Sequence, residues 1–166
     1  MKLSIIIVNW QTKDYLKNCL ASIFQYPLND GGMEVLVIDN ASTDQSARLV
    51  QEQFPQVQLI TNQHNLGFAK AINQGLYLAT GDYCLLLNPD TLILPQTLDK
   101  TIATMDQNPA YGILGCQVTN PDHSLQKSVR RLPKPWSQAI ILLKLHNLFP
   151  GLLMILTIKN PNRPNK

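Results

Sequence analysis

The sequence predicts an α/β fold in which helices cover both faces of a mostly parallel β-sheet. Short apolar, β-branched runs alternate along the chain with segments of 9–14 residues whose apolar positions follow helical spacing. Such alternation is typical of βαβ units, in which each helix carries the chain back to the start of the next strand. The strand candidates are continuous apolar runs, which indicates strands buried on both sides. The 166 residues are one domain's worth of chain, enough to bury a hydrophobic core.

The first half of the chain contains three strand candidates and two helix candidates. Residues 3–10 (LSIIIVNW), 33–40 (MEVLVIDN) and 57–62 (VQLITN) predict the first three strands. A single apolar stripe indicates the first helix, and the second helix, SARLVQEQF, is preceded by residues that suit a helix cap. The stripe consists of Tyr15, Leu16, Cys19, Leu20, Ile23 and Phe24, and the cap candidates are Ser42, Thr43 and Asp44.

The second half of the chain continues the alternation. A third helix is predicted over residues 67–80 from their alanine content and from the spacing of Phe68, Ile72 and Leu76. The remaining predicted elements are a fourth strand over 82–90 (DYCLLLNPD), a fourth helix over 95–107 with Pro95 in its first turn, and a fifth strand over 111–119.

Charge is distributed unevenly along the chain. Residues 1–122 hold all 11 acidic and 6 of the 14 basic side chains, a net charge of −5, whereas residues 123–166 hold 8 basic and no acidic side chains. We therefore predict an acidic core over 1–122, followed by a basic C-terminal segment over 123–166. Basic segments contact phosphates or anionic membrane surfaces, and they also occur as solvated surface, so both interpretations stay open.

The basic segment contains an apolar stretch that is too short to cross a bilayer. Polar residues and the Pro150-Gly151 pair interrupt it, and its longest uncharged run, from Asn147 to Ile158, has 12 residues. We favour packing of this stretch against another part of a larger protein over an interfacial membrane helix.

The three cysteines indicate reduced, buried thiols. Cys19, Cys84 and Cys116 are odd in number, lie in apolar segments and show no metal-binding spacing. Together with an N-terminus that does not resemble a signal peptide, they predict a cytoplasmic protein.

Polar residues follow the predicted strands at the points where the strands end. In open parallel sheets, ligands bind beyond the carboxyl ends of the strands. Asn9-Trp10, Asp39-Asn40 and Asn62 occupy these positions on the first three strands. We interpret Asp39 as a ligand contact, because its carboxylate is placed to accept hydrogen bonds from a base or ribose, and Asp44 as a helix cap. Trp10 suits stacking on a base and burial in the core equally well.

A glycine-containing loop precedes the third predicted helix. Gly67 allows the backbone to approach a ligand closely, and the free amides at a helix N-terminus favour an anion. Lys70 and Asn73 suit a ligand contact, but they equally suit solvent or the loop backbone. The segment lacks the glycine-rich signatures of dinucleotide-binding and P-loop proteins, so those classes have little support.

The fourth strand ends at Asn88-Pro89-Asp90. Pro89 is incompatible with a helix interior and fixes the direction in which the chain leaves the strand. A strand-end Asp90, with a diphosphate completing the shell, suits a hard divalent cation such as Mg²⁺ or Mn²⁺. The alternative is a turn formed by Asn88 and Asp90 without a ligand. Further on, the Arg130-Arg131 pair suits either a pyrophosphate or the solvated surface.

Five segments in fixed order carry a family resemblance: SIIIVNW, VLVIDNASTDQS, NLGFAKAINQGL, YCLLLNPDT and GCQVTNPDHSLQKSVRRLP. In order and spacing they resemble the family 2 glycosyltransferases, most of all the bacterial subgroup that includes rhamnosyltransferases of cell-surface polysaccharide synthesis. The resemblance covers roughly residues 3–150.

The resemblance implies a GT-A fold. It also implies an enzyme that transfers a sugar, with inversion, from a nucleoside diphosphate sugar to an acceptor hydroxyl. The acceptor is a saccharide or a lipid-linked molecule, and no nucleic-acid partner is expected. Such acceptors imply a cytoplasmic location at the inner face of the plasma membrane, with peripheral membrane contact through the basic segment.

The resemblance also assigns roles to individual positions. Asn88-Pro89-Asp90 takes the place of the family's metal-binding DxD motif, with Asp90 matching its last acid and serving as the one strong ligand for Mg²⁺ or Mn²⁺. The implied nucleotide-sugar contacts are Asn9, Trp10 and Asp39 around the nucleoside, Gly67 and Asn73 at the nucleotide, and Asn88 and Asp90 at the diphosphate.

The chain departs from the family's pattern downstream of Asp90. An inverting transferase needs a general base near the acceptor hydroxyl, and in this family an Asp or Glu well after the DxD-like motif supplies it. Asp122 is the last acidic residue here and lies too close to the predicted fifth strand to be an obvious substitute, so no catalytic residue is assigned. We therefore expect residues 123–166 to begin a missing acceptor-binding half. The alternative function is a nucleotide-sugar-binding module without turnover, from a truncated or split gene.

Overall fold

Within the described residues, 1–122 and 124–126, four parallel strands alternate with four helices. The computed structural model divides the chain into two compact units, Met1–Leu114 and Gly115–Lys166, and the alternation lies in the first. The elements are β1 (Leu3–Asn9), α1 (Lys13–Gln25), β2 (Met33–Asp39), α2 (Ser46–Gln53), β3 (Gln58–Thr61), α3 (Phe68–Leu78), β4 (Tyr83–Leu87) and α4 (Thr97–Gln107). The predicted α/β fold with a parallel sheet is confirmed.

The strands form one sheet in the order β3-β2-β1-β4, and each neighbouring pair is parallel. β1 lies between β2 and β4, and all seven of its residues are buried. Because the strands are parallel, their carboxyl ends lie along one side of the sheet, which we call the carboxyl edge. At this edge Asn9 pairs in register with Asp39, and Asp39 pairs with Thr61.

The hydrophobic core has two layers, one on each face of the sheet. Residues of β1 alternate between the layers, as the period of two in a strand requires. Ile5 and Ile7 pack with buried residues of α1, α2 and α4, whereas Ile6 and Val8 pack with Ala71 and Ile72 of α3. Helices therefore cover both faces, as predicted, with α3 on one face and the other three helices on the opposite face.

One face of β4 is open, and both terminal residues of β3 are exposed, which corrects the expectation that every strand is buried on both faces. Exposed Cys84 and Leu86 alternate along β4 with half-buried residues, and Leu86 is 49% exposed. Among the described residues, β4 has a strand partner on one edge alone. The prediction of buried thiols is likewise right for Cys19 and wrong for Cys84 and Cys116, which are both exposed.

Two predicted boundaries near the end of the first unit are also corrected. α4 begins at Thr97, so Pro95 lies in the turn before the helix. Residues 111–118 form no strand, and Thr119 instead makes an isolated antiparallel bridge to Leu125 in the second unit. An apolar run forms a strand only where a neighbouring strand satisfies its backbone groups, and none of the described strands does so here.

In the second unit, the described residues form one hydrogen-bonded turn. The Asn120 amide donates to the Ser124 carbonyl at 2.8 Å, and the Gln126 amide donates to the Val118 carbonyl at 3.0 Å. The predicted apolar stretch and Arg130-Arg131 lie outside the described residues. Within the described part of the chain, none of the helices combines the length and apolar character needed to cross a membrane.

The buried face of α3 differs from the stripe that the sequence predicted. Phe68 and Leu76 are 59% and 41% exposed, and the helix instead packs through Ala71, Ile72 and Gly75. A Cβ atom at Gly75 would lie 2.4 Å from Ile6 Cγ2 and 2.9 Å from Ile38 Cδ1. Gly75 therefore sets how closely α3 approaches the sheet.

We expect Gly75→Ala to lower the free energy of unfolding, because the added methyl group overlaps two core side chains. Overpacking of this kind costs about 1–3 kcal/mol. The better helix propensity of alanine recovers about 1 kcal/mol at most. Denaturant unfolding followed by circular dichroism measures the difference.

Gly112→Ala is the control, because a Cβ atom there meets nothing within 4 Å. Its unfolding free energy should stay within about 0.5 kcal/mol of the wild-type value. Equal stability of the Gly75 and Gly112 variants would contradict the close packing of α3.

Candidate functional site

A buried pair of polar side chains joins β1 to β2 at the carboxyl edge. Asn9 is fully buried and Asp39 is 2% exposed, and the Asn9 Nδ2 atom donates to Asp39 Oδ1 at 2.7 Å. The second oxygen, Oδ2, accepts the Ser42 amide at 3.0 Å. A buried carboxylate needs such partners, because its desolvation is otherwise costly. Asp39 is therefore held rigidly at the end of its strand.

The two loops above this pair are joined by side-chain hydrogen bonds. Gln11 Nε2 donates to Thr43 Oγ1 at 3.0 Å, the Thr43 amide donates back to Gln11 Oε1 at 3.3 Å, and the Gln11 amide donates to Ser42 Oγ at 3.0 Å. Gln11 and Ala41 adopt left-handed backbone, with φ of 56° and 63°. That conformation costs about 1–2 kcal/mol for residues other than glycine. The hydrogen bonds between the loops offset this strain.

Trp10 lies between the buried Asn9 and the fixed Gln11, and its side chain is 55% exposed. The indole therefore lies outside the core. Of the two placements that the sequence left open, burial in the core is thus excluded. Because both neighbours are held by hydrogen bonds, the ring is presented to solvent from a fixed backbone.

Asp44 links the starts of two helices. Its carboxylate accepts the Lys13 amide of α1 at 2.9 Å and the Ser46 amide of α2 at 3.0 Å. Burial acts to raise the pKa of Asp44, but the hydrogen bonds from Ser46 and Lys13 outweigh it, and the pKa is lowered. Gln45 occupies the N-cap position of α2, so Asp44 supports the helix start from one residue earlier.

A chain of amides fixes the loop that leads into α3. Asn40 is 2% exposed, and its Oδ1 accepts the Asn62 side chain at 2.9 Å. Asn62 and Gln74 exchange two amide hydrogen bonds of 2.9 Å. Asn40 also donates to the Gly67 carbonyl at 3.4 Å. Gly67 has a φ of 79°, which favours glycine, and it is the N-cap of α3.

Asn73 and Lys70 lie on the outer side of α3. Both are exposed, and together with Ile60 and Tyr77 they line a shallow groove of about 470 Å³. Asn88 and Asp90 line a different cavity. The structure thus brings Asn9 into contact with Asp39, and Asn88 into one cleft with Asp90, while Asn73 lies in a groove of its own.

The cleft at the end of β4 contains the most exposed carboxylate of the predicted site. It has a volume of about 450 Å³ and is lined by Asn88, Pro89 and Asp90 on one wall and by Thr12 and Tyr15 on the other. Among the described residues, no hydrogen bond or salt bridge holds the Asp90 carboxylate. The Asp90 carboxylate is therefore open to a ligand, whereas both oxygens of Asp39 and of Asp44 already accept hydrogen bonds from the protein.

The sequence did not identify Thr12 or Tyr15 as site residues. Tyr15 was placed in the apolar stripe of α1, yet it is 62% exposed and faces the cleft. Thr12 donates from Oγ1 to Asn9 Oδ1 at 2.6 Å, so it connects the cleft to the buried pair. The sequence feature that could have identified Thr12 and Tyr15 is their spacing of three residues, which puts them on one helix face at the carboxyl edge.

Residues 4–157 match the family model described as "Glycosyl transferase family 2". The N-acetylglucosaminyl-diphospho-decaprenol L-rhamnosyltransferase of Mycobacterium tuberculosis is 26% identical over 142 residues, which cover 79% of this chain and 46% of that protein. The chain thus spans about half the length of the curated relative that it matches.

Two solved structures share this fold. Residues 1–349 of S. aureus TarS, in complex with UDP-GlcNAc, are 28% identical with a TM-score of 0.59, covering 66% of this chain and 32% of that one. The mannosyltransferase PcManGT from Pyrobaculum calidifontis, in complex with GDP-Man and Mn2+, is 24% identical with a TM-score of 0.58, covering 73% and 36%. At that identity the second likeness supports the fold alone.

The order of the strands, the polar carboxyl edge and the match over 4–157 agree with one another. The chain belongs to glycosyltransferase family 2.

Proposed function

We propose that this chain binds a nucleoside diphosphate sugar along its carboxyl edge and acts as the donor-binding part of an inverting glycosyltransferase. The observation that carries the proposal is the Asp90 carboxylate, which lies in an open cleft and has no hydrogen-bond or salt-bridge partner among the residues that the structure describes. Thr12 connects this cleft to the Asn9–Asp39 pair. A ligand with a base at one end and a diphosphate at the other matches these two parts of the edge.

The nucleoside end of the donor is assigned to Trp10, Asn9 and Asp39. The exposed indole of Trp10 offers a face on which a base stacks, and base–aromatic stacking contributes about 1–3 kcal/mol. Each oxygen of Asp39 already accepts one hydrogen bond from the protein. A carboxylate oxygen has two lone pairs, so each retains capacity for a ligand donor.

The diphosphate end of the donor is assigned to Asn88 and Asp90, with Mg²⁺ or Mn²⁺ between protein and ligand. No group of three or more His, Cys, Asp or Glu side chains in residues 1–122 and 124–126 forms a metal cage. One free carboxylate fits a metal whose other ligands come from phosphate oxygens and water. When bound, such a metal neutralises charge on the departing diphosphate. The part played by this chain is to hold the diphosphate at Asp90.

Gly67 and Asn73 are assigned to the nucleotide. Gly67 is the N-cap of α3, and nothing lies within 4 Å of a Cβ atom built on it, so a ligand has room to approach. The unpaired amides of a first helical turn attract anions. Asn73 is exposed in the groove on the outer side of α3, and its contact with the nucleotide rests on the family's pattern.

A second function, binding of the sugar nucleotide without turnover, is favoured by the state of Asp122. Hydrogen bonds from the Ser124 hydroxyl and amide lower the pKa of Asp122, which makes it a weaker base. No acidic residue follows it in the sequence. Abstraction of a proton from an acceptor hydroxyl therefore has no assigned base in this chain.

The name of one relative supports a proposal for the class of acceptor. The rhamnosyltransferase of M. tuberculosis is named for a diphospho-decaprenol acceptor, which is a lipid-linked saccharide. We propose the same class for the enzyme to which this chain contributes, in cell-surface polysaccharide synthesis at the inner face of the plasma membrane. Contact of the basic segment with that membrane belongs to the same proposal.

We expect Asp90→Asn to weaken binding of a nucleoside diphosphate in the presence of Mn²⁺ and to have little effect without it. The reason is that the substitution removes the anionic metal ligand but keeps the shape of the side chain. A charge-assisted contact of this kind contributes about 1.5–3 kcal/mol, so the loss should be about tenfold or more. Isothermal calorimetry with UDP, dTDP and GDP, each with and without Mn²⁺, measures it.

Asp82→Asn is the matched control, because Asp82 is an exposed carboxylate at the opposite end of β4. It should bind as the wild type does under both conditions. Absence of binding to all three nucleotides by the wild-type chain, with or without Mn²⁺, would overturn the proposed function. Release of free sugar from a bound donor, lost in Asp90→Asn, would favour the enzyme over the binding module.

We also expect Tyr15→Phe to weaken nucleoside diphosphate binding by about three- to tenfold, because it removes a hydroxyl donor from the wall that faces Asp90. Affinity for the nucleoside without phosphates should not change. Tyr111→Phe provides the control, since Tyr111 is 52% exposed, close to the 62% of Tyr15, and does not line the cleft. Equal losses for nucleoside and diphosphate would contradict a diphosphate contact.

A further inference from the structure

The buried face of α1 holds the loop that carries Asp90 at both of its ends. We call residues 88–93 the Asp90 loop. At its start, the Asn88 carbonyl accepts the Cys19 thiol, with Sγ 3.8 Å from the oxygen. At its end, the Ile93 amide donates to Ser22 Oγ at 2.9 Å. Cys19 and Ser22 are three residues apart, so they share one face of α1.

Both anchors are shielded from water. Cys19 is fully buried, Ser22 is 8% exposed and Ile93 is 5% exposed. The Ser22 hydroxyl is itself oriented, because it donates to the Cys19 carbonyl at 2.7 Å while it accepts the Ile93 amide. A buried backbone amide without an acceptor is strongly disfavoured, so the Ser22 contact constrains where the loop rejoins the core.

The Asp90 loop is also closed internally. The Asn88 carbonyl accepts the Thr91 amide at 3.2 Å and the Thr91 hydroxyl as well, and Pro89 fixes one backbone angle. Both ends of the loop are thus anchored and its turn is closed. Within the part of the chain that the structure describes, no hydrogen bond holds the exposed Asp90 carboxylate itself.

We infer that Cys19 and Ser22 are positioning residues, which anchor the Asp90 loop to α1 and thereby set where the Asp90 carboxylate meets the diphosphate of a sugar nucleotide. This inference rests on the function proposed above. Thr12 and Tyr15, on the opposite wall of the cleft, lie at the N-terminal end of the same helix. One helix therefore determines the separation of the two walls.

The chemistry of the Cys19 thiol is consistent with this role. Burial, with a smaller effect from the negative charge of Asp90, raises the pKa of Cys19 to about 12. The thiol thus stays protonated at neutral pH, so it donates a hydrogen bond and adds no negative charge beside a bound diphosphate.

The test compares the effect of Mn²⁺ on nucleoside diphosphate affinity across a set of variants. Ser22→Ala and Cys19→Ala should each reduce the gain in affinity that Mn²⁺ produces. For Ser22→Ala the reduction should be about tenfold, because the substitution removes a partner that orients a metal ligand. Affinity for the nucleoside without phosphates should stay at the wild-type value. Ser22→Thr keeps the hydroxyl, and Cys19→Ser puts a hydroxyl donor in place of the thiol, so both variants should retain most of the gain.

Ser4→Ala is the matched control for a merely structural effect. Ser4 is fully buried and its hydroxyl also makes two hydrogen bonds, to Glu34 and to the Gly81 amide, but it lies at the amino ends of the strands. Its loss should lower the melting temperature without changing the Mn²⁺-dependent gain. If Ser22→Ala does not fold, Cys19→Ala carries the comparison.

Hydrogen exchange gives a readout that does not depend on nucleotide binding. The amide of Ile93 should exchange faster in Ser22→Ala than in Ser4→Ala or the wild type. Unchanged exchange at residues 88–93 would overturn the anchoring itself. Faster exchange together with an unchanged Mn²⁺-dependent gain in affinity would overturn the positioning role and leave the proposed function standing. A wild-type chain that binds no nucleotide would overturn the positioning role and the proposed function together.

Discussion

The hydrogen bond from Asn9 to Asp39 joins the two central strands at the carboxyl edge, and the loops above it take their shape from that bond. Because Asp39 is a buried carboxylate, it requires a donor on each oxygen, and Asn9 and the Ser42 amide supply them. These contacts bring the loops after β1 and β2 together, so that Gln11 and Ala41 adopt strained backbone. Trp10, which precedes Gln11, is 55% exposed.

The site is best understood as two regions connected through the first turn of α1. The buried pair lies at one end and the Asp90 cleft at the other, and Thr12 belongs to both because it bonds Asn9 and lines the cleft. The two regions differ: both oxygens of Asp39 accept hydrogen bonds from the protein, whereas no hydrogen bond within the described residues holds the Asp90 carboxylate. The two ends of a sugar nucleotide differ in the same way. Its base needs a fixed pocket, and its diphosphate carries mobile counterions.

The strongly patterned parts of the fold were predictable from sequence, because periodicity reports burial directly. β1 and β2 are apolar apart from Ser4 and Glu34 up to the polar residues that mark their ends, and α1 has an apolar stripe. The three leucines of β4 misled, since an apolar run does not reveal whether a helix covers each face of the strand, and Leu86, on the face where α3 covers Ile6 of β1, is 49% exposed. Tyr15 and Ser22 were missed for a related reason: their partners lie about 70 residues away, in a loop whose path no local pattern encodes.

The close contact at Gly75 limits how sequences with this sheet can diverge. The space that a side chain at position 75 would need is already taken by Ile6 and Ile38, which belong to different strands. The terminal Cδ1 of Ile38 can rotate aside, but Cγ2 of Ile6 is bonded directly to its Cβ, so a larger residue at 75 presses first on position 6. Relatives that carry such a residue should have a smaller side chain at position 6, so that two sites about 70 residues apart in the chain vary together.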